Sequence, residues 1–67
     1  MHHDLAKLSY RQKEIVRLLA ENWSVEAIAR RLSLSNRTIR GHQQLTISLL
    51  ELEDETALIE LAKSVYL

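Results

Sequence analysis

The stretch Ser24-Val-Glu-Ala-Ile-Ala-Arg-Arg-Leu-Ser-Leu-Ser-Asn-Arg-Thr-Ile-Arg-Gly-His42 decides the fold. Ser24 is a helix N-cap: its hydroxyl can accept from the free amides of the first turn. Trp23 before that cap and Ile28 inside the helix have the spacing of a hydrophobic staple, which fixes the angle at which the chain enters. Ala27, Ile28 and Leu32 form the inner face of a short helix ending near Leu32. Ser33, Leu34 and Ser35 make a turn. Ser35 caps the next helix, and Leu34 with Ile39 repeats the staple spacing. Two short helices joined by about three residues are the signature of a helix-turn-helix.

The helix that follows Ser35 is expected to run from Asn36 to about Leu50. Ile39, Thr46, Leu49 and Leu50 fall on one stripe, with His42 beside them and expected to bond a neighbour. Arg37, Arg40, Gly41 and Gln44 fall on the other side, and Leu45 is either buried under the fourth helix or exposed for a partner. Working outward, Ser9 and Gln12 form a Ser-x-x-Gln capping box at the start of a first helix. Ile15, Leu18 and Leu19 carry its inner face. It is expected to end near Glu21, with Asn22 in the left-handed conformation that stops a helix. Asp54 caps a fourth helix over 55–66, with Glu55 at the positive end of its dipole and Lys63 at the negative end. Its apolar residues include Leu58, Leu61, Ala62 and Val65 and cover more than one side, the pattern of a helix that faces both its own core and something else. The fold class is therefore all-α, a four-helix helix-turn-helix domain with the third helix as recognition helix. Residues 1–7 read as an N-terminal tail or tag remnant, with His2 and His3 its mark. Residues 8–67 read as the domain.

Composition narrows the chemistry. Sixty-seven residues make one domain with a modest core. There is no cysteine, which rules out a disulfide, a thiolate metal site or a thiol nucleophile. A partner chain is the staple such a small domain would use. One glycine and no proline suit helices and tight turns. The net charge of zero hides a segregation. Between Lys7 and His42 stand eight cations against three carboxylates, and from Gln43 onward only Lys63 opposes Glu51, Glu53, Asp54, Glu55 and Glu60. A basic front suits a polyanion. No nucleophile–base pair, glycine-rich phosphate loop or metal constellation is present, so neither an enzyme nor a cofactor is expected. Nor is a small-molecule site or a membrane partner.

Three pieces in order resemble the DNA-binding domains of the LuxR/FixJ/GerE type. Leu8-Ser-Tyr-Arg-Gln-Lys-Glu-Ile-Val-Arg-Leu-Leu-Ala-Glu-Asn is similar to L-T-x-R-E-x-E-V-L-x-L-L-A-x-G. Ser24-Val-Glu-Ala-Ile-Ala-Arg-Arg-Leu is similar to S-x-x-E-I-A-x-x-L. Leu34-Ser-Asn-Arg-Thr-Ile-Arg-Gly-His is similar to I-S-x-x-T-V-K-x-H. The resemblance implies a third helix in the major groove of double-stranded DNA and a fourth that pairs two copies on a two-fold site. It implies base-edge positions at Arg40, Gly41 and Gln44, and positions near phosphates at Ser24, Arg37 and Thr38. Arg40 is suited to the O6/N7 edge of guanine, and Gln44 to adenine. The dimer contact is expected at Leu58, Leu61, Ala62 and Val65. A transcription regulator in the cytoplasm, associated with the nucleoid, follows from the resemblance.

Three departures from the pattern bear on function. Leu45 stands where a polar residue is common, and Leu49 where a Lys is usual. Glu51 replaces the Gly that usually follows the third helix, beside Glu53, Asp54 and Glu55. These motivate a second possibility, a protein-interaction module on the same frame. It would bind another regulatory protein through Leu45, Leu49, the acidic connector 51–55 and the fourth helix.

Overall fold

Four side-chain caps start four helices. In a computed structural model, which describes residues 5–67, α1 spans Tyr10–Ala20, α2 Val25–Leu32, α3 Asn36–Leu49 and α4 Glu55–Tyr66, preceded by one 3-10 turn at Leu5–Lys7. No strand occurs among the described residues, and the four-helix all-α architecture matches the expectation. His2 and His3 lie outside the described residues. Leu5, within the expected tail, packs against the core.

Ser9 Oγ accepts from the Gln12 amide at 3.1 Å, while Gln12 Oε1 accepts from the Ser9 amide at 2.8 Å, closing the capping box. Ser24 accepts from the Ala27 amide, Ser35 from Thr38 and Asp54 from Ala57, at 2.9 to 3.1 Å. Each cap satisfies an amide that its helix leaves without a partner, and is typically worth about 1 kcal/mol.

The helix ends share a second device. Asn22, Ser33 and Glu51 adopt φ of 67°, 58° and 54°, the left-handed region. After each, the chain turns back in the Schellman pattern. The Trp23 amide donates to the Leu18 carbonyl, Leu34 to Ala29, and Leu52 to Ile47, at 2.9 to 3.1 Å. Trp23, Leu34 and Leu52 are apolar and pack on the core edge. In the first two turns the same residue closes one helix and staples the next. That is why one left-handed residue, one apolar residue and one serine suffice to connect α2 to α3, and the same three follow Glu21 between α1 and α2.

The core is built from Leu8, Ile15, Val16, Leu18, Leu19 and Ala20 of the N-terminal part, Ile28 and Ala29 of α2, Ile39 and Leu50 around α3, and Leu58 and Ala62 of α4. α1 packs most extensively on α4 and also supports α3, while α2 packs on α3. Two expectations about inner faces change. Ala29, not Ala27, is the buried alanine of α2. On α3 the buried row is Ile39, Gln43, Thr46 and Leu50, whereas Leu49 is 36 % exposed. At 100° per residue, Leu49 falls about 80° from the Ile39 direction and Gln43 only about 40°. Angle, not hydrophobicity, places Gln43 inside. No helix among the described residues is long and apolar enough to cross a membrane.

Candidate nucleic-acid interface

α3 presents a polar row opposite its buried one. Arg37, Gly41, Gln44 and Ser48 recur at spacings of four, three and four residues, and all are exposed. Opposite them, Ile39, Gln43, Thr46 and Leu50 anchor the helix to α1, α2 and α4. The helix is therefore held rigidly by one side and offers the other along its whole length. This is what a recognition helix requires, since base readout depends on fixed side-chain positions.

Each residue expected to contact DNA lies at the surface. Arg40 flanks the exposed row on the side nearer α2, and its guanidinium stands 3.8 Å from the Glu26 carboxylate. Both side chains are more than half exposed, so the pair adds little to stability. Its effect is positional: the carboxylate pulls the guanidinium toward the start of α2. Glu26 was not singled out from sequence. The resembling pattern places its carboxylate one residue later, where this chain has Ala27. The signal lay in that shift, which removes a capping box and frees an acid to face the recognition helix.

Ser24, Arg37 and Thr38 are exposed at the starts of α2 and α3. Ser24 Oγ is engaged by the Ala27 amide. The Ser35 hydroxyl donates to Thr38 Oγ1 at 2.9 Å and accepts from the Thr38 amide, so Ser35 and Thr38 form a hydroxyl pair at the α3 N-terminus. Helix N-termini carry free amides and partial positive charge, which suits anions. Arg31 is exposed, and its guanidinium lies 5.9 Å from the centroid of the Trp23 ring. His42 is half-buried beside the exposed row, and its side chain hydrogen-bonds to no other described residue, contrary to the bonded histidine expected. It lies one turn from both Thr38 and Leu45, a flank poor in fixed partners.

Among the described residues, nothing lies within 4 Å of the position a Cβ on Gly41 would take. A neighbouring helix therefore does not crowd Gly41. Leu45, undecided from sequence, is 51 % exposed.

The residues expected at a dimer contact divide into two groups. Leu58 and Ala62 are fully buried in the chain's own core. Leu61 is half-buried and Val65 is 47 % exposed, so these two present surface. An open groove of about 360 Å³, lined by Tyr10, Lys13, Glu14, Arg17 and Tyr66, lies between α1 and the end of α4. No group of three or more His, Cys, Asp or Glu side chains among the described residues could hold a metal ion.

Comparison with known proteins agrees with this fold. The family model GerE, described as bacterial regulatory proteins of the luxR family, matches residues 6–62. The Fimbriae Z protein of Salmonella typhimurium is 43 % identical over 63 residues, which cover 94 % of this chain and 30 % of that protein. The chain thus spans about a third of the length of this relative. No solved structure matches it at a significant level. With the helix-turn-helix in place and the family model covering most of its length, the chain belongs to the luxR family of bacterial regulatory proteins, a family of DNA-binding regulators.

Proposed function

We propose that this chain binds double-stranded DNA sequence-specifically as a transcription regulator, with α3 in the major groove. Arg40, Gly41 and Gln44 face base edges, and Ser24, Arg37 and Thr38 face phosphates. One observation carries the proposal: the row Arg37, Gly41, Gln44 and Ser48 is exposed and unobstructed while the opposite row of the same helix is buried. Arg40 supplies guanine readout, worth roughly 1–3 kcal/mol of discrimination. Arg37 sets register on the backbone and carries little sequence information.

A single copy makes few groove contacts. Two copies on half-sites one helical turn apart, about 34–36 Å, supply the rest. α4 is the element suited to pair them, through Leu61 and Val65 on its surface, with Leu58 and Ala62 holding the helix in place from within. Such a regulator works in the cytoplasm, at the nucleoid.

The test is selection of bound duplexes from a randomised pool, followed by anisotropy titration at two salt concentrations. Enrichment of a two-fold symmetric site, weakened by salt and lost in Arg40→Ala, is expected, because phosphate contacts release counterions. Binding that ignored salt would remove the phosphate roles.

The exposure of Leu45 and Leu49 favours one alternative, a protein-interaction module that binds another regulator through these leucines, the acidic connector 51–55 and α4. It requires that Arg40→Ala leave DNA binding unchanged while Leu61→Glu abolishes function.

A further inference from the structure

Gly41 is the only glycine in the chain, and nothing in the fold accounts for it. It lies within α3, and its φ is not positive. The three positions that do need a left-handed residue are filled by Asn22, Ser33 and Glu51 instead. A Cβ at Gly41 would meet open space. Glycine in a helix interior is destabilising relative to alanine, so the chain carries that cost for something outside its own packing.

Leu45 stands one turn beyond, at i+4, and is 51 % exposed. Helical side chains lean toward the N-terminus, so Leu45 slopes back toward the turn that holds Gly41. The bare backbone of Gly41 and the exposed Leu45 are thus neighbours on the helix surface, an open apolar notch with no side chain within 4 Å of the Gly41 Cβ position. Its sequence neighbours are Arg40 on one side and Gln44 on the other, both exposed and both suited to reading bases. An apolar notch among polar readers fits one group on a base-pair edge. The C5-methyl of thymine is the apolar feature that B-DNA presents in the major groove, and apolar side chains recognise it by contact.

We infer that Gly41 and Leu45 form a receptor for a thymine methyl group, and that Leu45 is a specificity-determining residue of the DNA-binding face. This rests on the proposed placement of α3 in the major groove. Leu45 lies five residues beyond Arg40, roughly 7.5 Å along the helix axis. Gly41→Ala fills the notch and Leu45→Ala removes its wall, so both abolish the preference by different routes.

The experiment replaces each thymine of the selected duplex, one at a time, with uracil, which deletes only the methyl group. Affinity is measured for the unaltered protein and for Leu45→Ala. The unaltered protein is expected to lose about fourfold at one thymine per half-site, the value of one buried methyl. Leu45→Ala is expected to bind thymine and uracil duplexes equally. A flat scan with the unaltered protein, or a uracil penalty that persists in Leu45→Ala, overturns the inference while DNA binding stands. The first of these readings needs no variant and so does not depend on one folding. Failure to select any duplex instead removes the DNA-binding proposal, and this inference with it.

Discussion

The Arg40 guanidinium of α3 stands 3.8 Å from the Glu26 carboxylate of α2, so the cation best suited to reading a base is shared with an acid of the preceding helix. In the free protein this contact orients Arg40 and also places a negative charge beside the proposed DNA-binding face. The two consequences separate in Glu26→Gln. The pair is exposed, so stability should change by no more than about 0.5 kcal/mol. Affinity for a random duplex at low salt should rise, because a like charge is removed from the phosphate field. Discrimination for guanine at the position read by Arg40 should fall as the brace is lost. Weaker binding of Glu26→Gln to every duplex would mean that Glu26 itself touches a base.

Gly41→Ala separates folding from recognition at one position. With open space at the Cβ position and no positive φ, alanine fits the helix without strain. The substitution should stabilise the fold by about 1 kcal/mol. For a domain of this size that raises Tm by about 4–8 °C. Thermal unfolding by circular dichroism reads this directly. A lowered Tm would show that the helix is crowded there after all. Stability that rises while duplex selectivity falls is the pattern expected of a residue kept for binding.

Glu51 is held at φ 54° at the end of α3, where a Cβ is disfavoured. Glu51→Gly relieves the backbone and should stabilise the domain by roughly 0.5–1 kcal/mol, after the greater entropy of glycine in the unfolded chain is taken off. Glu51→Ala is the control, since it removes the charge but keeps the Cβ and should gain little. Equal gains from the two substitutions in urea unfolding would assign the effect to repulsion within the acidic connector rather than to the backbone.

The caps and turns were legible in the sequence because each is local. Ser9, Ser24, Ser35 and Asp54 start helices through hydrogen bonds that span three residues, and Asn22 ends one through its own backbone. The positions around Arg37, Arg40, Gly41 and Gln44 were legible as an exposed face for the same reason, since helical period alone separates them from Ile39. What periodicity did not decide was set by tertiary neighbours. Gln43 is buried because its angle points at the core, although its side chain is polar, and Leu49 stays at the surface although it is apolar. Glu26 meets Arg40 only because the turn at Ser33 to Ser35 folds α2 against α3. Glu51 was visible as a missing glycine, but its left-handed conformation follows from the hydrogen bond of Leu52 to Ile47 that closes α3.

α4 allows the fold and the assembly to be tested apart, because its apolar residues divide by burial. Leu58 is fully buried, and Leu58→Ala should cost 2–5 kcal/mol in round terms, about enough to unfold so small a domain. Val65 is 47 % exposed near the end of the same helix, so Val65→Glu should leave the unfolding midpoint almost unchanged. A charge at a surface that must be desolvated against a second copy disfavours pairing strongly. Val65→Glu should therefore sediment as a monomer at concentrations where the unaltered chain pairs. It should also bind a two-half-site duplex with the affinity of a single half-site. If Val65→Glu and Leu61→Glu both keep cooperative binding to the full site, α4 does not pair the copies and another surface must. If both lose cooperativity but still bind one half-site with the same salt dependence, α3 reads the DNA and α4 joins the two copies on it.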